Sequence, residues 1–125
     1  MIAGPRIRDD FVAEIRILRT DEGGRSTPPH NGVRWDFLYD GDSVQDGMFA
    51  IYPIFVNSTN QVIPEGVPLV GSYRARMYIL NPDLRRQVHL DRVRVGVAFY
   101  CMEGPRKVAK GLVTEVTGID ANAAA

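Results

Sequence analysis

The chain has 125 residues, 45% of them hydrophobic and 24% charged, and its fifteen basic side chains cancel fifteen acidic ones. That length suits one domain, and no apolar run approaches the roughly 20 residues that a membrane-crossing helix needs. Zero net charge removes the global field that gathers nucleic acid from solution, so any RNA binding has to come from a local patch. One cysteine, Cys101, cannot form an internal disulfide, and 1–6 lack the apolar centre of a secretory signal. A cytoplasmic home is the expectation. Thirteen of the basic residues are Arg, a bias that suits phosphate recognition but that codon usage explains as well.

Residues 1–10 read as a polar lead-in. Phe11 to Leu18 alternates, with Phe11, Ala13, Ile15 and Ile17 on one face, and is the first predicted strand. From Arg19 to Gly32 a Gly pair, a Pro pair and an Asn-Gly mark a long loop, a form that is usually functional or mobile. Val33 to Tyr39 resumes the alternation through Val33, Trp35, Phe37 and Tyr39. Asp40, Asp42 and Asp46 then cluster, but without the ligand spacing of a calcium loop. Met48 to Val56 is nearly all apolar, and Pro53 points to an edge strand or a bulge. Such an edge could accept a strand from another chain or a second copy, with Phe49, Ile51, Ile54 and Phe55 as the contact residues.

Tyr73 to Leu80 alternates again and ends at Asn81-Pro82, and Asp83 to Asp91 allows no more than a turn or a short helical piece. In Arg92 to Cys101, Val93, Val95, Val97, Phe99 and Cys101 share one face. With Val108 to Val116 this run predicts an antiparallel hairpin turning near Gly104-Pro105. Arg74, Arg76 and Tyr78 on one strand and Arg92, Arg94 and Tyr100 on another would form a single outward patch if those strands pair, suited to an RNA backbone or a protein. Six β-rich segments separated by Gly/Pro turns predict an all-β antiparallel barrel or sandwich over 11–119 with a tail at 120–125, and a closed barrel leaves no free sheet edge. His30, His89 and Cys101 lack metal-site spacing, so neither a metal nor a cofactor is expected.

Five segments, in order, resemble the C-terminal barrel of elongation factor Tu and related translational GTPases. Phe11 to Leu18 followed by Glu22-Gly23-Gly24-Arg25 and Thr27-Pro28 is similar to that family's strand and its Glu-Gly-Gly-Arg-His-Thr-Pro loop. Asn31-Gly32-Val33-Arg34 with Phe37 resembles its Gly-Tyr-Arg-Pro-Gln-Phe, Pro64-Glu65-Gly66-Val67 matches a turn, and Tyr73 to Pro82 stands where the family has an apolar strand ending in Pro. Val95 to Phe99 with Glu103 to Val113 resembles the closing hairpin. The resemblance implies a six-stranded antiparallel closed barrel with an insertion around 40–62. It also implies contact with the tRNA backbone, carried here by Gly24, Arg25, Ser26, Thr27, Glu103 and Gly104. Ser26 replaces the family's His, Trp35-Asp36 its Pro-Gln and Pro105 a Gly, and the carboxylate of Asp36 opposes phosphate. The chain has no Gly-Lys-Ser/Thr phosphate loop and no Asn-Lys-x-Asp, so by itself it binds no guanine nucleotide. The expectation is a non-enzymatic binding module, with a protein partner or self-association ahead of tRNA.

Overall fold

A computed structural model describes residues 8–124; 1–7, most of the lead-in, lie outside the described residues. Six antiparallel strands close on themselves: β1 Phe11–Ile17, β2 Trp35–Tyr39, β3 Phe49–Val56, β4 Ser72–Ile79, β5 Ala98–Glu103 and β6 Arg106–Val116. The order around the ring is β1-β4-β3-β2-β5-β6, with β6 pairing back onto β1. Alternation drives the closure. Phe11, Ala13 and Ile15 of β1, Trp35 and Phe37 of β2, Ile51 and Phe55 of β3, Ala75 and Met77 of β4, and Phe99 and Cys101 of β5 all turn into one core.

The centre of that core is aromatic. Phe37 stacks on Phe99 with ring centroids 4.4 Å apart and meets Phe11 edge-on at 6.2 Å. Phe99 also reaches Phe11, at 6.1 Å, although β6 separates their strands. It can do so because its partner across the β5–β6 ladder is Gly111, where an added Cβ would lie 2.1 Å from the Phe99 ring. Gly111→Ala is therefore expected to force the ring aside and to destabilise the fold by about 1–3 kcal/mol. A fall in the urea midpoint at unchanged m-value would show it, and an unmoved midpoint would contradict it.

β6 is the long stave, and its register slips twice, opposite Cys101/Met102 and opposite Val12/Ala13. The extra residues, Val108 and Thr114, are bulges that coil the strand around the ring. The hairpin before β6 turns on Gly104 and Pro105 between Glu103 and Arg106, which are paired. Gly104 has φ +57°, and Gly followed by Pro meets the backbone demand of a type II′ turn.

The segment 40–62 supplies β3, one of the six staves, from the apolar run Met48 to Val56. Two expectations about the strands need correction. First, β3 has no free edge for the contact residues Phe49, Ile51, Ile54 and Phe55. It pairs with β4 from Ile51 to Val56 and with β2 from Phe49 to Ile51. Beyond Ile51, where β2 has not yet begun, Asn31 takes the missing strand's place. Its amide donates to the Phe55 and Ile63 carbonyls, and its oxygen accepts from the Phe55 N–H. Pro53 falls in the same gap, so its missing N–H breaks no pairing with β2.

Second, β5 begins at Ala98 rather than Arg92. Arg92 closes a helical segment made of an α-turn Pro82–Leu84, a π-turn Arg85–His89 and an α-turn Leu90–Arg92. Asn81 caps it, accepting from the N–H groups of Asp83 and Leu84. The chain then turns at Gly96, with φ +93°, so Val93 is buried while Val95 is two-thirds exposed. The tail is ordered as well: Ile119–Ala124 is a helix anchored by Ile119, which is buried, and by Asn122.

The helical segment and this last helix meet at Asp10. Asp10 Oδ1 accepts from Arg85 Nε at 2.8 Å and from Asn122 Nδ2 at 2.9 Å, and Oδ2 accepts from the Ile79 N–H at 2.8 Å and Arg85 Nη2 at 3.2 Å. Three parts of the chain are thus tied to one buried carboxylate.

Candidate functional site

The proposed Arg/Tyr patch does not exist as one surface. β4 and β5 stand three positions apart whichever way the ring is followed, so Arg74, Arg76 and Tyr78 are across the barrel from Tyr100. Each cation is engaged locally instead. Arg74 pairs with Glu115 and Arg76 donates to the Asn60 carbonyl. Arg92 forks onto Asp42 over the Tyr39 ring, and Arg94 donates to the carbonyls of Leu90 and Val93. Tyr78 packs with Tyr52 and Ile54, and Lys107 lies over Tyr100.

By contrast, the loop candidates and the hairpin candidates come together. Arg25 Nη1 is 3.3 Å from Glu103 Oε2, and the same oxygen accepts from Trp35 Nε1 at 2.9 Å. The loop reaches this position through its Gly pair. Thr20–Glu22 forms one 3₁₀ turn that Gly23 ends, with the Gly23 N–H bonded to the Thr20 carbonyl and the Gly24 N–H to the Arg19 carbonyl. Gly24 is buried, and a Cβ there would lie 2.4 Å from the Leu18 carbonyl oxygen. The missing side chain lets the chain fold back over the end of β1. Ser26 and Thr27 are exposed, as is Gly104.

Behind this loop lies a cleft of about 230 Å³, bounded by 16–20, 25–29 and 69–71. Its apolar part comes from Leu18, Pro28, Pro29, Leu69 and Val70. Leu69 is buried and its N–H donates to the Pro29 carbonyl at 2.8 Å, whereas Val70 is 66% exposed at the mouth. His30 Nδ1 lies 2.8 Å from the Glu65 carbonyl oxygen, so the Pro64-Glu65-Gly66-Val67 turn pins the loop from outside. Sequence patterning missed Leu18, Leu69 and Val70. Only the turn at Pro64 to Val67, itself closed by the Val67 N–H on the Pro64 carbonyl, hinted that this segment returns to the loop.

Three arginines edge the cleft: Arg16, Arg19 and Arg25. Arg16 Nη1 donates to both oxygens of Glu22, at 2.8 and 3.1 Å, and Arg19 Nε donates to Asp21 at 3.0 Å. The Arg16 hydrogen bond, followed by the Arg19 backbone N–H, holds the Glu22 carboxyl down at about 2. Each cation therefore has a carboxylate neighbour, Glu22, Asp21 or Glu103. What the arrangement offers is a small apolar recess with locally neutralised polar walls.

Burial, in contrast, governs three other strongly shifted groups: it raises Tyr39 and Cys101 and lowers His89 to about 4. All three belong to the barrel interior rather than the cleft. Among the described residues no helix is long and apolar enough to cross a membrane. No protein-family model matches the chain.

Proposed function

We propose that this chain is a non-catalytic binding module, a relative of the C-terminal barrel of elongation factor Tu, and that it recognises a protein through the cleft behind the Gly24–Thr27 loop. The observation that carries this reading is the apolar recess of Leu18, Pro28, Pro29, Leu69 and Val70, whose surrounding cations already face carboxylates. Desolvating apolar surface favours protein association, whereas a track for several phosphates needs uncompensated positive charge. Glu22, strongly shifted beside the cleft, is held as a carboxylate by Arg16, and Tyr39, His89 and Cys101 lie in the interior, which argues against acid–base catalysis at the cleft. Because the ring leaves β3 no open edge, the cleft replaces strand addition as the route to a partner or a second copy.

A second reading has one observation in its favour. Arg25 beside Glu103 brings the loop residues Arg25, Ser26 and Thr27, with Gly24 buried beneath them, to the hairpin residues Glu103 and Gly104, as contact with a tRNA backbone requires. Capture from a native extract, with and without ribonuclease, separates the two. The protein reading expects a bound protein that survives ribonuclease and is lost with Val70→Glu, a change at an exposed position that leaves the core intact. The RNA reading expects ribonuclease to abolish capture. Binding of the purified chain to tRNA would then fall by orders of magnitude between about 50 and 200 mM salt.

A further inference from the structure

We infer that the cleft takes an extended peptide segment in which an aliphatic side chain stands beside a carboxylate. The inference rests on the protein-recognition reading above and names the chemistry of the partner at that site. Three features carry it.

The first is size. At about 230 Å³ the recess falls below the roughly 300–1,000 Å³ of pockets that enclose a whole small molecule, and it suits one or two side chains of an otherwise exposed segment. The second is the distribution of charge. Arg16, Arg19 and Arg25 all line the cleft, while the carboxylates that face them, Asp21, Glu22 and Glu103, do not. An occupant thus meets guanidinium groups and no acid.

The third is that the arginines are unequally committed. Arg16 is forked onto Glu22 and Arg19 donates to Asp21. Arg25 donates no side-chain hydrogen bond among the described residues. Its approach to Glu103, at 3.3 Å, is longer than the 2.7–2.9 Å or so of a charged hydrogen bond, and that Glu103 oxygen already serves Trp35. A guanidinium with its donors unspent, lining the same cleft as Leu18, Pro28 and Val70, is built for the planar two-point grip on a single carboxylate. One carboxylate next to one aliphatic group satisfies both halves of the cleft. A run of phosphates would leave the apolar half uncovered and would meet the carboxylates outside.

The test is selection of a random linear peptide library displayed on phage against the full chain, followed by fluorescence polarisation with synthetic copies of the enriched peptides. Enriched sequences are expected to carry Leu, Ile or Val within a residue or two of Asp or Glu. Arg25→Gln should weaken their binding by about 10- to 100-fold, the loss of one charged hydrogen-bonding partner, and Val70→Glu should abolish it. Arg74→Gln, on β4 and away from the cleft, should leave it unchanged. Apolar peptides without a carboxylate, or affinity indifferent to Arg25→Gln, would overturn the inference and leave the protein-recognition reading standing. So would an empty selection, with that reading then decided by the Val70→Glu capture experiment. Displacement of the peptides by tRNA at moderate salt would overturn both.

Discussion

Asp10→Ala is expected to lower the stability of the barrel by about 3–5 kcal/mol, the cost of stranding a buried charge. Asp10 is fully buried, and the Arg85 side chain it holds is only 6% exposed. With the carboxylate gone, the guanidinium keeps its bond to the Ile79 carbonyl but loses its counter-charge, and the Ile79 N–H loses its acceptor. The Asn122 side chain loses this acceptor at the same moment and keeps only its bond to the Arg8 carbonyl, so the last helix should fray first. Asp10→Asn, which keeps the shape and one acceptor, should fall between wild type and Asp10→Ala. Removing both charges with Asp10→Leu and Arg85→Met should recover much of the loss, because the penalty lies in the unpaired ion rather than in the absent bridge. Urea unfolding of the four proteins gives the comparison. A loss below about 1 kcal/mol for Asp10→Ala, the scale of a surface pair, would contradict the role assigned to Asp10.

Acidification should destabilise the fold through His89, by about 3 kcal/mol between pH 6.5 and about 4. His89 is 2% exposed, its Nδ1 is 2.7 Å from the Tyr39 hydroxyl, and its Nε2 is buried without a partner among the described residues. Burial is the main reason its pKa is lowered from 6.5 to about 4; Asp10 acts in the opposite direction, and Arg92 and Arg85 push further down. The unfolded chain therefore takes up a proton below about pH 6.5 while the folded chain does not until about pH 4. In that window the unfolded state binds more protons, so stability falls as pH falls, by about 1.4 kcal/mol per pH unit. Above pH 6.5 both states are neutral at this site and the contribution is complete. His89→Gln should lose stability at neutral pH through poorer packing with Phe37 and Phe49, yet show a flatter pH profile across the window. Equal slopes in the two proteins would contradict the assignment.

The periodicity of the chain made the staves legible. A side chain that alternates in and out says which face is buried, and the inward residues of Phe11 to Ile17, Trp35 to Tyr39 and Ser72 to Ile79 follow their pattern, although Val12, Leu38 and Tyr78 on the other face are covered too. The pattern does not say which strand lies beside which. Arg74 and Tyr100 were placed together for that reason, although β3 and β2, or β1 and β6, stand between their strands. Arg92 to Val97 failed differently. The alternating valines there belong to the end of a helical segment and a turn at Gly96, two short features whose apolar residues mimic a period of two. At the site, the Gly-Gly-Arg loop could be read from its composition, and so could the hairpin that meets it. Leu69 and Val70 could not, because they reach the cleft only after the 64–67 turn brings them back to Pro29. Asp10 stood unnoticed at the end of a polar stretch, since nothing local distinguishes a carboxylate bound for burial from a solvated one.

The central claim, protein recognition at the cleft of a closed barrel, is tested most directly by site-specific photo-cross-linking. A benzophenone amino acid placed at Val70, and separately at Arg74 on β4, is irradiated in native extract and the adducts are treated with ribonuclease. The account predicts a discrete protein adduct at position 70 that resists ribonuclease, is competed away by an aliphatic–acidic peptide, and is absent at position 74. Adducts that ribonuclease dissolves, or equal labelling at both positions, would contradict it.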